Sequence, residues 1–145
     1  MATVRDILAR KGNHIESIDP ATSVYDAAVR MRDLRIGALL VLVESRLVGI
    51  VTERDILQRV VAEGLDATET SVEDVMTKEV ACCQKDTSLD EARGVMKNRR
   101  IRHLPVVDSD EKLLALISIG DLNAYQTTTQ EQTIHLLHEY IYGIS

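Results

Sequence analysis

The sequence predicts an α+β fold in which one small unit occurs twice, and three observations carry that prediction. The order strand, helix, strand, strand, helix runs through the chain two times. Ala38 to Val43 is an uninterrupted apolar run of strand length, which implies a strand covered on both faces. Each copy also closes on the same kind of turn, Gly49-Ile50-Val51-Thr52-Glu53-Arg54-Asp55 in the first and Ala115-Leu116-Ile117-Ser118-Ile119-Gly120-Asp121 in the second. At both places a buried strand ends, a hydroxyl marks the bend, and a helix opens with a carboxylate three residues after it.

Val4, Ile7 and Leu8 give a short apolar face that Lys11-Gly12-Asn13 ends. Ile15 to Ile18 reads as a short strand, and Asp19-Pro20-Ala21-Thr22 turns the chain. Ser23 and Asp26 have capping-box spacing, and Val24, Ala27, Ala28, Met31 and Leu34 follow at helical intervals, so an amphipathic helix is expected here, broken at Gly37. The apolar strand then leads through a polar turn, Glu44-Ser45-Arg46, to a second strand from Leu47 to Val51 and a helix from Glu53 to Glu63 closed by Gly64.

After a polar connector from Gly64 to Ser71 the order begins again. Val72-Glu73-Asp74-Val75-Met76 resembles Val4-Arg5-Asp6-Ile7-Leu8 at an offset of 68, while Thr87-Ser88-Leu89, Met96 and Ile101 match Thr22-Ser23-Val24, Met31 and Ile36 at 65. Asp121 follows Asp55 by 66, which places one added residue in the hairpin turn from Asp108 to Lys112, where a duplicate tolerates it. A unit of about 60 residues buries too little surface to stand comfortably alone. The expectation is therefore a repeat over residues 1–64, a second over 65–122, and a helical tail over 123–145, the two repeats packing through their sheets as one cooperative pair about an approximate two-fold axis. In the tail, Ile134, Leu137, His138 and Ile141 share a helical face, with Leu136 and Tyr140 beside it, suited to covering the pair or meeting another subunit.

Composition narrows the function. The 145 residues are 45% hydrophobic yet 3% aromatic, with no Trp or Phe, so the core is aliphatic. A net charge of −6 argues against a general grip on nucleic acid or anionic membrane. The first residues alternate charge with apolar side chains, unlike a signal peptide, and no apolar run reaches the length of about 18 residues that suggests a membrane span. A cytoplasmic protein is expected. Adjacent Cys82 and Cys83 suit neither a disulfide framework nor a C-x-x-C knuckle, and read as reduced residues near a strand with one facing inward.

Thr52 with Asp55, and Ser118 with Asp121, fit a plain capping box. They also fit a ligand. A helix N-terminus seats phosphate, and a carboxylate beside it suits a ribose diol, whose two O–H groups match its two oxygens. Basic groups come from another strand, Ile101-Arg102-His103-Leu104-Pro105-Val106-Val107, where alternation sends Arg102 and His103 to opposite sides and so to two different sites. Lys97, Arg99 and Arg100 before it read as a solvated run.

Taken together, Val72-Glu73-Asp74-Val75-Met76-Thr77, Gly49 to Asp55 and Arg102-His103-Leu104-Pro105-Val106-Val107-Asp108, in that duplicated order, resemble the tandem CBS-domain pair, the family named after cystathionine β-synthase. The resemblance covers the chain to about Leu122. It implies two β-α-β-β-α units and two clefts for adenosine-containing ligands: AMP, ADP, ATP, NAD or S-adenosylmethionine. One cleft would join Thr52 and Asp55 to Val80, Ala81 and His103; the other would join Arg102, Ser118 and Asp121 to Ser17, Ile18, Ile36 and Gly37, with Arg54 and Pro105 as further ligand-binding candidates. In the family, Asp holds the ribose, the hydroxyl and basic groups hold phosphate, and the aliphatic strand holds adenine.

Two departures stand out. Gly37 and Ala38 occupy the places of Arg102 and His103, and Ala115 replaces the glycine at Gly49, so the clefts should differ. The one with Arg102 is expected to bind more tightly, because Arg pairs bidentately with phosphate. His135, His138 and Glu139 have a spacing that holds metals, but with no H-E-x-x-H order and no third ligand no metal site is expected. No nucleophile–base pair, G-x-S-x-G or G-x-G-x-x-G is present, so neither an enzyme nor a catalytic cofactor is expected. The reading is a regulatory nucleotide sensor, a homodimer, signalling to an effector protein in trans. Its rival is a ligand-free interaction or dimerisation scaffold with vestigial clefts.

Overall fold

The structure, a computed structural model, describes residues 1–12 and 14–130. The part of the expected tail helix from residue 131 onward, including His135, His138 and Glu139, lies outside the described residues. In chain order the elements are α1 (Val4–Lys11), β1 (Ser17–Ile18), α2 (Val24–Leu34), β2 (Ala38–Val43), β3 (Arg46–Thr52), α3 (Glu53–Ile56), α4 (Val72–Val75), α5 (Leu89–Arg99), β4 (His103–Val107), β5 (Leu113–Ser118) and α6 (Ile119–Gln130). A π-helical stretch, Leu57–Val61, continues α3. Helix α6 passes through the expected boundary at Leu122 without a break.

The duplication extends to hydrogen bonds. Helices α2 and α5 are capped by Ser23 and Ser88, whose hydroxyls accept the Asp26 and Glu91 N–H groups, both at 3.1 Å. Each helix then stops on a left-handed arginine, Arg35 with φ 57° and Arg100 with φ 56°, rather than at Gly37. The Ile36 and Ile101 N–H groups close these ends onto Met31 and Met96 carbonyls. Antiparallel β2 and β3 pair through a tight turn in which Glu44 and Ser45 both take positive φ, a geometry matched to strand twist. Strands β4 and β5 are also antiparallel, joined by a longer turn, with a bulge between Val106 and Val107 that corresponds to one between Val41 and Leu42. In the first sheet β1 adds in parallel to β2. Its counterpart in the second is a single bridge, Cys83 to Val106, so the expected first strand of that unit is reduced to one residue pair.

The cores cross over. Val72, Val75 and Met76, around α4, are buried with Val24, Ala27, Met31, Leu39, Val41 and Val51 of the first half. Val4, Ile7 and Leu8 of α1 are buried with Ala92, Met96, Leu104, Val106 and Ile117 of the second. The exchange is anchored by matching backbone bonds, Val4 N–H to the Thr87 carbonyl at 2.9 Å and Val72 N–H to the Thr22 carbonyl at 2.8 Å. Burying each such aliphatic side chain is worth roughly 1.5–3 kcal/mol, so each half depends on a helix lent by the other. A third cluster lies between the sheets, where Ala38, Leu40 and Ile50 meet Val80, Leu113 and Leu116.

The two lent helices differ in length. Ala9-Arg10-Lys11 are strong helix formers, and α1 runs eight residues to Gly12, whose φ is 84°. The matching stretch, Thr77-Lys78-Glu79, begins with a β-branched residue; α4 stops after four residues, and Thr77 instead bonds both ways with Ile50 of β3, at 2.9 and 3.0 Å.

Candidate ligand-binding site

Thr52 ends β3 in extended geometry and caps α3. Its Oγ1 accepts the Asp55 N–H at 3.2 Å while its own N–H donates to Asp55 Oδ2 at 3.0 Å, so the capping box is closed both ways. The Asp55 carboxylate does more than cap. It is only 7% exposed, the Thr77 hydroxyl donates to Oδ1 at 3.2 Å, and Arg59 Nε stands 3.9 Å from the same oxygen. Arg59 is itself held by the carbonyls of Val75 and Met76, at 3.0 and 3.2 Å, at the end of α4. A carboxylate offers about four acceptor positions, and Oδ1, bonded at this distance by Thr77 alone, keeps one to spare.

Asp55 borders a cavity of about 510 Å³, within the range of small-molecule sites. Around it the fold collects Thr52, Arg54, Val80, Ala81 and His103. Arg102 and Gly37 join the same cavity, against the expectation that placed them in the other cleft. The reason lies in the strand boundary. β4 begins at His103, so Arg102 precedes the pleat and alternation does not separate the two side chains. Arg99 and Arg100, expected to be a solvated run, also reach the cavity, and Arg54 Nη1 donates to the Arg100 carbonyl at 2.6 Å. The lining residues therefore include five arginines, Arg54, Arg59, Arg99, Arg100 and Arg102, with Glu53, Asp55 and Glu79. Desolvation holds the His103 imidazole below its usual pKa of 6.5, with Lys11 and Arg102 pushing the same way and Glu53 and Asp121 opposing.

The second turn repeats the box and not the cavity. Ser118 N–H donates to Asp121 Oδ2 at 2.8 Å and Asp121 N–H donates to Ser118 Oγ at 3.1 Å. Lys11 then donates to both Asp121 Oδ2 and the Leu116 carbonyl, each at 2.8 Å. The space beside them is about 210 Å³, lined also by Ile7, Arg10 and Tyr125, with the Arg10 guanidinium 4.4 Å from the Tyr125 ring centre. Arg102 is thus not available to make this the tighter cleft.

Ser17, Ile18, Ile36 and Pro105 line neither cavity. The Ser17 carbonyl accepts Arg30 Nη1 at 2.6 Å, Ile18 and Ile36 pack in the first core, and the carbonyl of buried Pro105 accepts the Cys83 N–H. Cys83 is buried and Cys82 exposed; burial pushes the Cys83 thiol up to about 12 and raises Cys82 as well, so neither is an activated thiolate. Thr77 and Arg59 were not among the expected site residues. Thr77 closes the quoted Val72 to Thr77 motif, and Arg59 lies four residues after Asp55, so both had a signal. Among the described residues no group of three or more His, Cys, Asp or Glu is placed to hold a metal, and no helix is long and apolar enough to cross a membrane.

Comparison with known proteins agrees with this duplication. The profile of the CBS domain matches residues 3–62 and again 72–139. The mitochondrial CBS domain-containing protein CBSX3 of Arabidopsis thaliana is 31% identical over 150 residues, which cover 97% of this chain and 72% of that protein. Other Arabidopsis relatives are far longer, and the chain corresponds to 18% of CBSCBSPB3. Among solved structures, a CBS-domain protein from Burkholderia ambifaria superposes with a TM-score of 0.86 at 41% identity, over 90% of this chain and 97% of that one. The CBS domain protein PAE2072 of Pyrobaculum aerophilum, solved in complex with AMP, shares the fold with a TM-score of 0.72 at 24% identity, over 82% of this chain and 88% of that one. With the profile matched twice along its length, this chain belongs to the CBS-domain family as a tandem pair.

Proposed function

We propose that this chain is a cytoplasmic regulatory module that binds one adenosine-containing nucleotide in the Asp55 cavity and signals, as a homodimer, to an effector protein in trans. The observation that carries the reading is a buried carboxylate with a spare acceptor, bordering a cavity of about 510 Å³ with five arginines among its lining residues. Asp55 Oδ1 would take a ribose hydroxyl, Arg102 and its neighbours the phosphate, and Val80 with Ala81 the adenine face. The cationic lining favours AMP, ADP, ATP or NAD over S-adenosylmethionine, whose sulfonium is itself a cation. The AMP complex of the Pyrobaculum protein supports the choice, since the same fold holds that nucleotide there. The cavity takes its Thr52 turn from one repeat and His103 from the other, so a ligand that prefers one relative pose shifts the pair toward it.

Calorimetric titration of AMP, ATP and NAD, with Asp55→Asn as control, tests the proposal. Saturable heat from at least one nucleotide, lost in the variant, is the expected outcome. A ligand-free scaffold predicts no heat and no thermal shift from any of them.

A further inference from the structure

The two turns share a capping box but differ in what stands in front of it. In the first half Thr77 uses its own N–H on the Ile50 carbonyl and its hydroxyl on Asp55. In the second half the corresponding acceptors, the Leu116 carbonyl and Asp121, are both taken by the ammonium group of Lys11. The long α1 makes this possible. It continues through Ala9, which replaces Thr77 in the alignment of the halves, and so delivers Lys11 to the turn. Glu79 holds the corresponding position in the first half and lines the open cavity.

We propose that Lys11 is an internal occupant of a latent second nucleotide site at the Ser118–Asp121 turn, which restricts this chain to one nucleotide. This rests on the reading of the Asp55 cavity given above. Lys11 neutralises the carboxylate that a ribose would need and leaves a space of about 210 Å³, less than half of that beside Asp55. What remains around it has the chemistry of a nucleotide site: the Arg10 guanidinium, stacked on the Tyr125 ring, for phosphate, and the side chains of Ile7 and Ala124 for an apolar base. The restraint is displaceable. Lys11 and Asp121 are 34% and 25% exposed, so their pairing is partly screened by solvent and by salt.

The test is AMP titration of the full chain by calorimetry, with stoichiometry as the readout. Wild type should bind one AMP per chain and Lys11→Ala two. Lys11→Gln, one atom shorter with a similar helix preference and no charge, should show a second site about tenfold weaker than the first. Asp55→Asn should bind none, and Asp55→Asn with Lys11→Ala should regain one. A stoichiometry of one in both Lys11 variants, with first-site affinity unchanged, overturns the inference and leaves the Asp55 reading standing. Two AMP bound by wild type does the same. Silence from wild type and every variant overturns both.

Discussion

The Asp55 and Asp121 turns are the same local structure in different surroundings, and the difference shows how little of a binding site resides in its motif. Both carboxylates close a capping box onto a Ser or Thr, with N–H to oxygen distances between 2.8 and 3.2 Å. Around Asp55 a short helix ends early, Thr77 lies against β3, and the space in front stays open. Around Asp121 a longer helix carries a lysine onto the carboxylate. Two differences go with the contrast: Ala9 against Thr77 in helix preference, and Lys11 against Glu79 in charge.

The contrast should be largest in stability at the carboxylates themselves. Asp55→Ala removes the cap and strips the Thr52 and Thr77 hydroxyls of a buried partner, a loss of about 2–3 kcal/mol in urea unfolding. Asp121→Ala removes a cap and a part-exposed ion pair, for about 1 kcal/mol. Equal losses would mean that the surroundings do not distinguish the turns.

The glycine difference comes next. A Cβ on Gly49 would lie 2.6 Å from Met76 Sδ and 2.9 Å from the Thr77 carbonyl oxygen, the backbone that pairs with Ile50. Gly49→Ala should therefore cost about 1–3 kcal/mol through overpacking. Its counterpart already carries a methyl group, fully buried, and Ala115→Gly should cost only about 0.5–1 kcal/mol, measured in the same unfolding series.

Smaller again is Thr77→Val, which keeps the shape and removes one donor to Asp55, for about 1 kcal/mol. Ala9→Val in the other half removes no hydrogen bond and should cost about 0.5 kcal/mol of helix preference. The smallest effect is one of pH. Burial lowers the His103 pKa below 6.5, so the folded chain binds fewer protons there than the unfolded one. Stability from this group is present above that value and is lost as pH falls below 6.5 through the folded pKa. His103→Gln should flatten that part of the stability-against-pH curve.

Much of this was legible in the residues. The offsets of 65, 66 and 68 located the duplicated elements, and the inserted residue does sit in the turn after Asp108. Capping spacings marked the starts of α2, α3 and α6. Three things were not legible. An offset identifies copies but not whose core a copied helix enters, so the exchange of α1 and α4 needed coordinates. Alternation holds only inside a strand, so the side taken by Arg102 depended on β4 starting one residue later. Lys11 looked like an ordinary helix-ending residue, because its partner Asp121 is 110 positions away.

The central claim is that one turn faces a ligand and its twin does not. It is tested most directly by following backbone amide signals of the full chain in nuclear magnetic resonance during titration with AMP. The account predicts saturable shifts at Gly37, Thr52, Asp55 and Thr77, and a flat response at Asp121. Equal, saturable shifts at both turns, or shifts confined to Ser118 and Asp121, would contradict it.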